Sequence, residues 1–519
     1  MNKVTTTIRT EKNLWNKKPE QITNIKEIIE TEVIVCGGGT SGIIAAISAA
    51  ENGAKVILLE KNNSCYPPRD YIGAIGSKAH KERGIEIDKN QIVSELCRHA
   101  CYRIDQRLLN LWANESGEMM DWLCDIMLKS NMKVYVETDI NENMHIKEWP
   151  TTHIFYSLDK ENKTTTLKVL LNKMNEVGVN IMLKTPMFQL VTNGKKVTGV
   201  IAQNSNNQYI QINATKGVVL ATGGYSDNIE MVQTLNPVAI SNTTGISSTP
   251  CTGDGIKAGT WVGAEKDPIS TAMLFDRMAV KPGSIAGGPP FESQLFWMGS
   301  QPFLKVNKFG ERYYNESVPY DFGVHAASMQ PDRVWYSIFD SNWREDVLAF
   351  HTIGCSRIIL PEDQDKHPKR FNMTLIERMN ENLLKLGYIQ KANTIEELAE
   401  KLMIPPESLK STIERYNELC EKGIDEDFGK ESFRMKPVSC PPFYGVTVGG
   451  LMLCTLDGLR INTNMQVLNK NLKPIDGLYA IGNDSGGFFA YSYPELIPGI
   501  AAGRSMTFAR HVGKYLASK

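Results

Sequence analysis

The sequence predicts an α/β fold: a Rossmann-like dinucleotide-binding domain, discontinuous in the chain, with an α+β domain inserted into it. Residues 31–61 read as strand, glycine cluster, small-residue helix, strand and acid, a βαβ unit written out in full. A Gly/Pro/Ser/Thr-rich tract over residues 238–290 has little periodicity and marks a change of architecture. The last stretch, from GLYAIGN at residue 477, reads as strand, glycine-rich loop and terminal helix.

Residues 1–30 read as a polar arm, followed by an apolar strand from Val33 to Cys36. In the turn after it, Gly37, Gly39 and Gly42 fit GxGxxG. The first glycine permits the tight turn, the second lets backbone approach a pyrophosphate, and the third allows close packing of helix on strand. The helix N-terminus then favours the negative charge through its N–H groups and dipole. Glu60 follows at the tip of VILLE, where an acid accepts ribose hydroxyl bonds. Apolar spacing is helical over residues 88–128, and residues 182–220 alternate, with Asn193-Gly194 as a hairpin signal. Two helices split by Ile404-Pro405-Pro406 occupy residues 394–421 of the inserted domain.

Composition narrows the function. The 519 residues are 42% hydrophobic and 22% charged, which excludes disorder as the main state. Lys plus Arg is 57 against 58 Asp plus Glu, a net charge of -1, so bulk attraction to nucleic acid or an anionic membrane is not expected. The partner expected is a small molecule. The N-terminus lacks an apolar signal region, and no apolar run approaches the ~18 residues of a spanning helix, so a cytoplasmic location is expected. Ten cysteines without CxxC spacing argue against zinc ribbons and haem attachment; Cys97 and Cys101, one helical turn apart, read as core, and no metal is assigned.

The fingerprint serves NAD and FAD alike. Its place near the N-terminus, matched by GLYAIGN at the other end, implies one cofactor held by both chain ends, as in flavoproteins. The sequence resembles the flavoprotein family of soluble fumarate reductases, urocanate reductase and 3-ketosteroid dehydrogenases. The motifs, in the family's order, are the fingerprint with Glu60-Lys61, GVVLATGGYSDN (217–228), CTGDGIKAGTWVGAE (251–265), LKVNKFGERYYNES (304–317) and GLYAIGN (477–483). The resemblance implies non-covalent FAD held by residues 31–272 and 441–519, with a substrate cap over 273–440 and the active site in the cleft between. It assigns to the cofactor Gly37, Gly39, Thr40, Ser41, Gly42, Glu60, Lys61, Ala221, Thr222, Gly223, Asp254, Asn483, Asp484 and Ile500. The family's Gly-Gly pair after the acid is replaced by NNSCYPPRDYIGAIGSKAH, so residues 69–77 are expected beside the flavin without named contacts, and His80 has no claim to a covalent bond.

The branch of the family follows from two departures. Where fumarate reductases of this type carry a cap arginine, in a segment resembling NE-x-x-x-R-D, this chain reads Asn315-Glu316-Ser317-Val318-Pro319-Tyr320-Asp321. The family histidine before T-x-GG is absent from residues 444–450, YGVTVGG. A dicarboxylate would meet too little positive charge. The resemblance to the ketosteroid branch makes Tyr320, Tyr493 and Gly499 the catalytic candidates, although YPELIPG (493–499) has two more residues between tyrosine and glycine than that branch. A phenol can pass a proton to a substrate carbon or donate to an enone carbonyl, stabilising enolate charge. Tyr491 competes with Tyr493. His325 and His351 read as satisfied histidines, and the aromatics of MLFDRMAV and FESQLFWMG either line an apolar pocket or simply pack.

The expected function is reduction, or introduction, of a C=C bond beside a carbonyl in a bulky apolar molecule such as a 3-oxosteroid or 3-oxo bile acid, with an external electron donor or acceptor. Two alternatives stand beside it: a reductase of an unsaturated acid such as urocanate, a cinnamate or fumarate, and an electron-transfer flavoprotein without small-molecule turnover.

Overall fold

The computed structural model describes residues 14–137, 143–159, 164–247, 249–352, 354–357 and 373–519. Most of the polar arm lies outside them. The first sheet runs in the order Gln466–Leu468, Pro474–Ala480, Tyr209–Leu220, Glu27–Cys36, Val56–Leu59, Asn180–Met182, and all neighbours are parallel except the first pair. A hairpin of Met187–Asn193 and Lys196–Gln203 extends from Tyr209–Leu220. Its two-residue loop is Gly194-Lys195, one position beyond the Asn193-Gly194 signal, because Asn193 pairs directly with Lys196.

Strand β1 (Glu27–Cys36) begins well before the expected Val33. Glu27, Glu30 and Glu32 make its first half look like an arm, and that half is largely exposed while Val33 to Cys36 are buried. β1 lies between Tyr209–Leu220 and β2 (Val56–Leu59), so the sheet order reverses where the glycine turn leaves it, the usual place for a ligand in an open parallel sheet. Helix α1 (Thr40–Glu51) follows the turn and packs on the terminal helix α2 (Ile500–Ala517). The two helices approach closely at Gly513, where a Cβ would meet Ser48 and the backbone of Ala45 and Ala49 at 2.6–2.9 Å.

The second sheet has the order Ser293–Leu295, Ala272–Val280, Phe443–Thr455, Trp335–Phe339, Leu304–Val306, with Thr243–Ile246 and Ile389–Ala392 also paired to the long strand Phe443–Thr455. Sheet membership therefore divides the chain differently from the expected boundaries at 273 and 441. Thr243–Ile246 and Phe443–Thr455, assigned by sequence to the dinucleotide-binding parts, pair within the inserted sheet. Ala272–Val280 falls in the tract read as aperiodic because the strand is buried on both faces, so nothing alternates. A small antiparallel sheet, Ile72–Gly73, Thr152–Ser157 and Met132–Val136, completes the described strands.

The helices expected over 88–128 and 394–421 are present as Lys89–His99, Gln106–Leu128, Ile395–Leu402 and Pro406–Lys422. Cys101 lies beyond the end of Lys89–His99, exposed and at φ 48°, so it does not share a helix face with the buried Cys97.

Candidate active site

A cleft of about 630 Å³ opens where the C-terminal ends of the first sheet meet the second. Its lower half is the glycine turn. Gly37 has φ 115°, and a Cβ there would fall on the Ala221 carbonyl oxygen; a Cβ on Gly42 would fall on the Gly37 oxygen. These two glycines are required by the fold itself. Gly39 is different: its φ of -95° suits any residue, and nothing lies within 4 Å of the Cβ it lacks. It caps α1 without any side-chain hydrogen bond, so the helix N-terminus faces an open cradle.

Beside the cradle, Glu60 is buried at the end of β2. Its Oε2 accepts the Gly38 N–H at 2.8 Å, and its Oε1 accepts from Asn62 N and Nδ2 at 2.8 and 2.7 Å. The carboxylate is thus held in one orientation at the cleft wall, with lone pairs left for ribose hydroxyls. Lys61 Nζ bonds to Thr252 Oγ1 at 2.7 Å and to Asp254 Oδ2 at 3.0 Å. Burial works against ionised Asp254, but Lys61 and Lys257 outweigh it and hold the carboxyl below its ordinary value.

Of the seventeen residues expected at the site, fourteen line this cleft and three do not. Gly42 serves the packing just described. Ile500 lies one residue beyond the lining Gly499, with its N–H turned to the Ile497 oxygen. Asp484 sits behind the wall, fully buried, accepting from Thr222 N at 2.5 Å and Gly224 N at 3.0 Å. It ties the 222–224 turn to the 482–484 turn, and burial pushes its carboxyl up to about 6. Arg69, Asp70 and Tyr71 line the cleft as expected of that loop, whereas residues 72–77 and His80 do not.

The upper half carries the tyrosines. Tyr320 and Tyr493 are each 4% exposed and stack with centroids 6.4 Å apart at 15°, while Phe275 meets Tyr320 edge-on at 4.4 Å. Tyr491 is 46% exposed and outside the lining. His325 and His351 are also outside it. Gly499, at φ 78°, caps α2 and packs against the backbone of Tyr71 and Gly73 so closely that a Cβ would meet them at 2.6–2.9 Å.

A reciprocal pair of hydrogen bonds fixes the two tyrosines. Glu495 Oε2 accepts the Tyr320 N–H at 2.5 Å, and Asp321 Oδ2 accepts the Tyr493 N–H at 3.1 Å. Asp321 Oδ1 also accepts from Leu274 N at 2.8 Å, joining a third lining segment. Among the lining residues that the sequence reading did not single out are Arg277 and Glu495. Their signal was an acid–base pair, Asp276-Arg277, inside an apolar strand, and a lone acid between two prolines.

A cleft between two sheets that opens over a pyrophosphate-binding turn is that of a dinucleotide-binding protein. The chain belongs to the FAD binding domain family, whose profile matches residues 32–494, and FAD is its cofactor. Across 507 residues it is 30% identical to a vinyl phenol reductase of Lactiplantibacillus plantarum, covering 94% of this chain and 96% of that one. A 3-oxosteroid 1-dehydrogenase of Mycobacterium tuberculosis is 28% identical over 375 residues, 67% of this chain and 61% of its own length. Among solved structures, the open conformation of a flavocytochrome c3 fumarate reductase superposes with a TM-score of 0.66 at 23% identity, over 94% of this chain and 78% of that one. The protein is an FAD-dependent oxidoreductase of the fumarate reductase and ketosteroid dehydrogenase family, acting on C=C or CH–CH groups. Among the described residues no helix is long and apolar enough to cross a membrane.

Proposed function

We propose that this enzyme reduces the C=C bond of a neutral, planar, apolar substrate whose alkene is conjugated to an oxygen function, a hydroxylated styrene before all others. The observation that carries this reading is the upper half of the cleft. Met273, Phe275, Leu295, Trp297, Leu451 and Leu453 wall it, and among the described residues Arg277 is its one cationic side chain. A dicarboxylate buried there would meet too little positive charge. The full-length likeness to a vinyl phenol reductase supports the same substrate class.

The protein's part in the reaction is binding, orientation and proton supply. Gly37, Gly39, Thr40, Ser41, Glu60, Ala221, Thr222, Gly223 and Asn483 would hold FAD, which when bound and reduced supplies hydride; electrons come from an external donor. The Lys61–Asp254 pair would close the side of that site. Tyr320 would deliver the proton to the alkene carbon, and its ring is kept in place by Phe275 and Tyr493. The aromatic walls exclude water from the reacting carbons.

A second reading, reduction or introduction of the double bond of a 3-oxosteroid enone, is favoured by Tyr493 and Gly499 lining one cleft. There the phenol and the backbone N–H of Gly499 would donate to the enone carbonyl and stabilise enolate charge.

The test is anaerobic. Protein reduced at its flavin is mixed with 4-vinylphenol, a 3-oxosteroid enone, urocanate or fumarate, and reoxidation is followed by absorbance. Fastest reoxidation by 4-vinylphenol is expected, and by the enone under the second reading; precedence of urocanate or fumarate over both refutes the assignment. Tyr320→Phe should leave flavin reduction by the donor intact while turnover falls about 10²- to 10⁴-fold.

A further inference from the structure

The cap wall of the cleft holds more polar chemistry than packing requires. Arg277 stands in the middle of the strand Ala272–Val280, fully buried, and still lines the cleft. Its guanidinium lies 4.6 Å from the ring centroids of both Phe275 and Trp297. Nε donates to Ser300 Oγ at 2.5 Å and Nη2 to Ser356 Oγ at 3.1 Å. Ser300 Oγ in turn donates a hydrogen bond to Asp276 Oδ1, whose other oxygen accepts from Lys305 Nζ at 3.1 Å. On the opposite side, Ser356 Oγ donates to Glu495 Oε1 at 2.8 Å. Arg277 and Glu495 are therefore two ends of one hydrogen-bonded chain on one wall.

The two ends offer a ligand different things. Arginine keeps its proton, so Arg277 is a permanent donor and a permanent positive charge. Burial pushes the Glu495 carboxyl up to about 8, more than its bonds from Ser356 and Tyr320 pull it down, so at neutral pH it is an acid that both donates and accepts. The Nε and Nη2 edge of Arg277, which a carboxylate would use for two parallel bonds, is occupied by two serines. A carboxylate is thereby denied its best geometry.

We infer that Arg277 and Glu495, bridged by Ser356, form a recognition subsite for one substrate oxygen, and that this oxygen is a phenol hydroxyl rather than a carboxylate. The inference rests on the reading of the enzyme as a reductase of oxygen-conjugated alkenes and names the substrate class within it. A 4-hydroxystyrene can be reduced through its phenolate: a proton taken up at the terminal alkene carbon gives the neutral quinone methide, and hydride delivered to the benzylic carbon sends the electron pair to the ring oxygen, which then regains its proton from solvent. A guanidinium beside that oxygen stabilises the charge as it develops, in a wall otherwise built of aromatic rings.

Binding to the oxidised holoenzyme tests this without turnover. The protein is titrated with 4-nitrophenol, nitrobenzene and 4-nitrobenzoate, following the flavin spectrum. The wild type should bind the phenol about 10- to 100-fold more tightly than nitrobenzene and more tightly than the benzoate. Arg277→Met should abolish that preference and Arg277→Lys should retain part of it. If the methionine variant loses FAD, Ser356→Ala serves in its place and should weaken the preference severalfold. Equal affinity of the wild type for phenol and nitrobenzene, tighter binding of the benzoate, or a preference unchanged in Arg277→Met or Ser356→Ala overturns the inference. Reduction of 4-vinylphenol is scored separately. Turnover without phenol preference refutes the subsite and leaves the reductase reading, whereas preference without turnover supports the subsite and refutes the reading.

Discussion

Replacing Glu495 by glutamine should remove part of the pH dependence of stability, and the size of the effect follows from the site. The carboxyl ordinarily ionises at 4.5 and is pushed up to about 8, chiefly by burial, with Asp276 adding to the rise and Arg277, Ser356 and the Tyr320 N–H opposing it. Between those values the folded protein keeps a proton that the unfolded chain has released. Stability from this group is therefore full below the unfolded value and is lost as pH rises through the folded one, at about 1.4 kcal/mol per pH unit. Between about pH 5.5 and 7.5 that is on the order of 3 kcal/mol. Glutamine keeps the shape and an acceptor for the Tyr320 N–H but cannot ionise. Glu148, pushed up to about 7, and Asp457 and Asp484, pushed up to about 6, are present in both proteins and cancel in the difference. Unfolding measured with saturating FAD at stepped pH should show the variant gaining on the wild type as pH rises. A gap that stays constant across the range would refute the idea that burial keeps Glu495 protonated.

Gly39→Val should give a folded protein with little FAD, because its backbone angles suit valine and the added side chain meets only the open cradle; full flavin occupancy after purification would contradict the cradle's role. Glu60→Ala should weaken FAD binding by about 10- to 100-fold, the usual cost of bonds to a charged acceptor; an unchanged dissociation constant would mean that the acid serves only Gly38 and Asn62. In Asp321→Asn one acceptor is lost while Leu274 N–H and Tyr493 N–H both remain buried, so stability should fall by about 1–3 kcal/mol. Turnover should drop with it while FAD stays bound, and a variant with wild-type turnover would show that Tyr493 needs no such seat.

Much of the cofactor half was legible because its chemistry is local. A glycine turn between strand and helix, with an acid at the next strand's tip, occupies about thirty consecutive residues, and its spacing is fixed by backbone geometry. The substrate half is assembled from residues far apart in the chain. Tyr320 and Tyr493 were found through motif resemblance, but Arg277 reads as one charge in an apolar run and Glu495 as a surface-type acid, and only folding buries them on one wall. The inserted domain was expected to be α+β, but these strands of its sheet were not located for a related reason: Ala272–Val280 and Phe443–Thr455 are covered on both faces over most of their length, so the alternation that betrays a half-exposed strand is absent. Asp484 was assigned to the cofactor through the family resemblance, whereas its side chain turns inward to hold the neighbouring turn.

The exchanged bonds between Tyr320-Asp321 and Tyr493-Glu495 bear on how this site can be altered by evolution or by engineering. Each segment brings one phenol and the acid that seats the other, across 172 to 175 residues of chain. A loop transplanted alone from a donor that lacks the acid would leave the resident tyrosine without its acceptor. The heritable unit of this active site is therefore the pair of segments, and chimeras that swap both together should retain function where single swaps lose it.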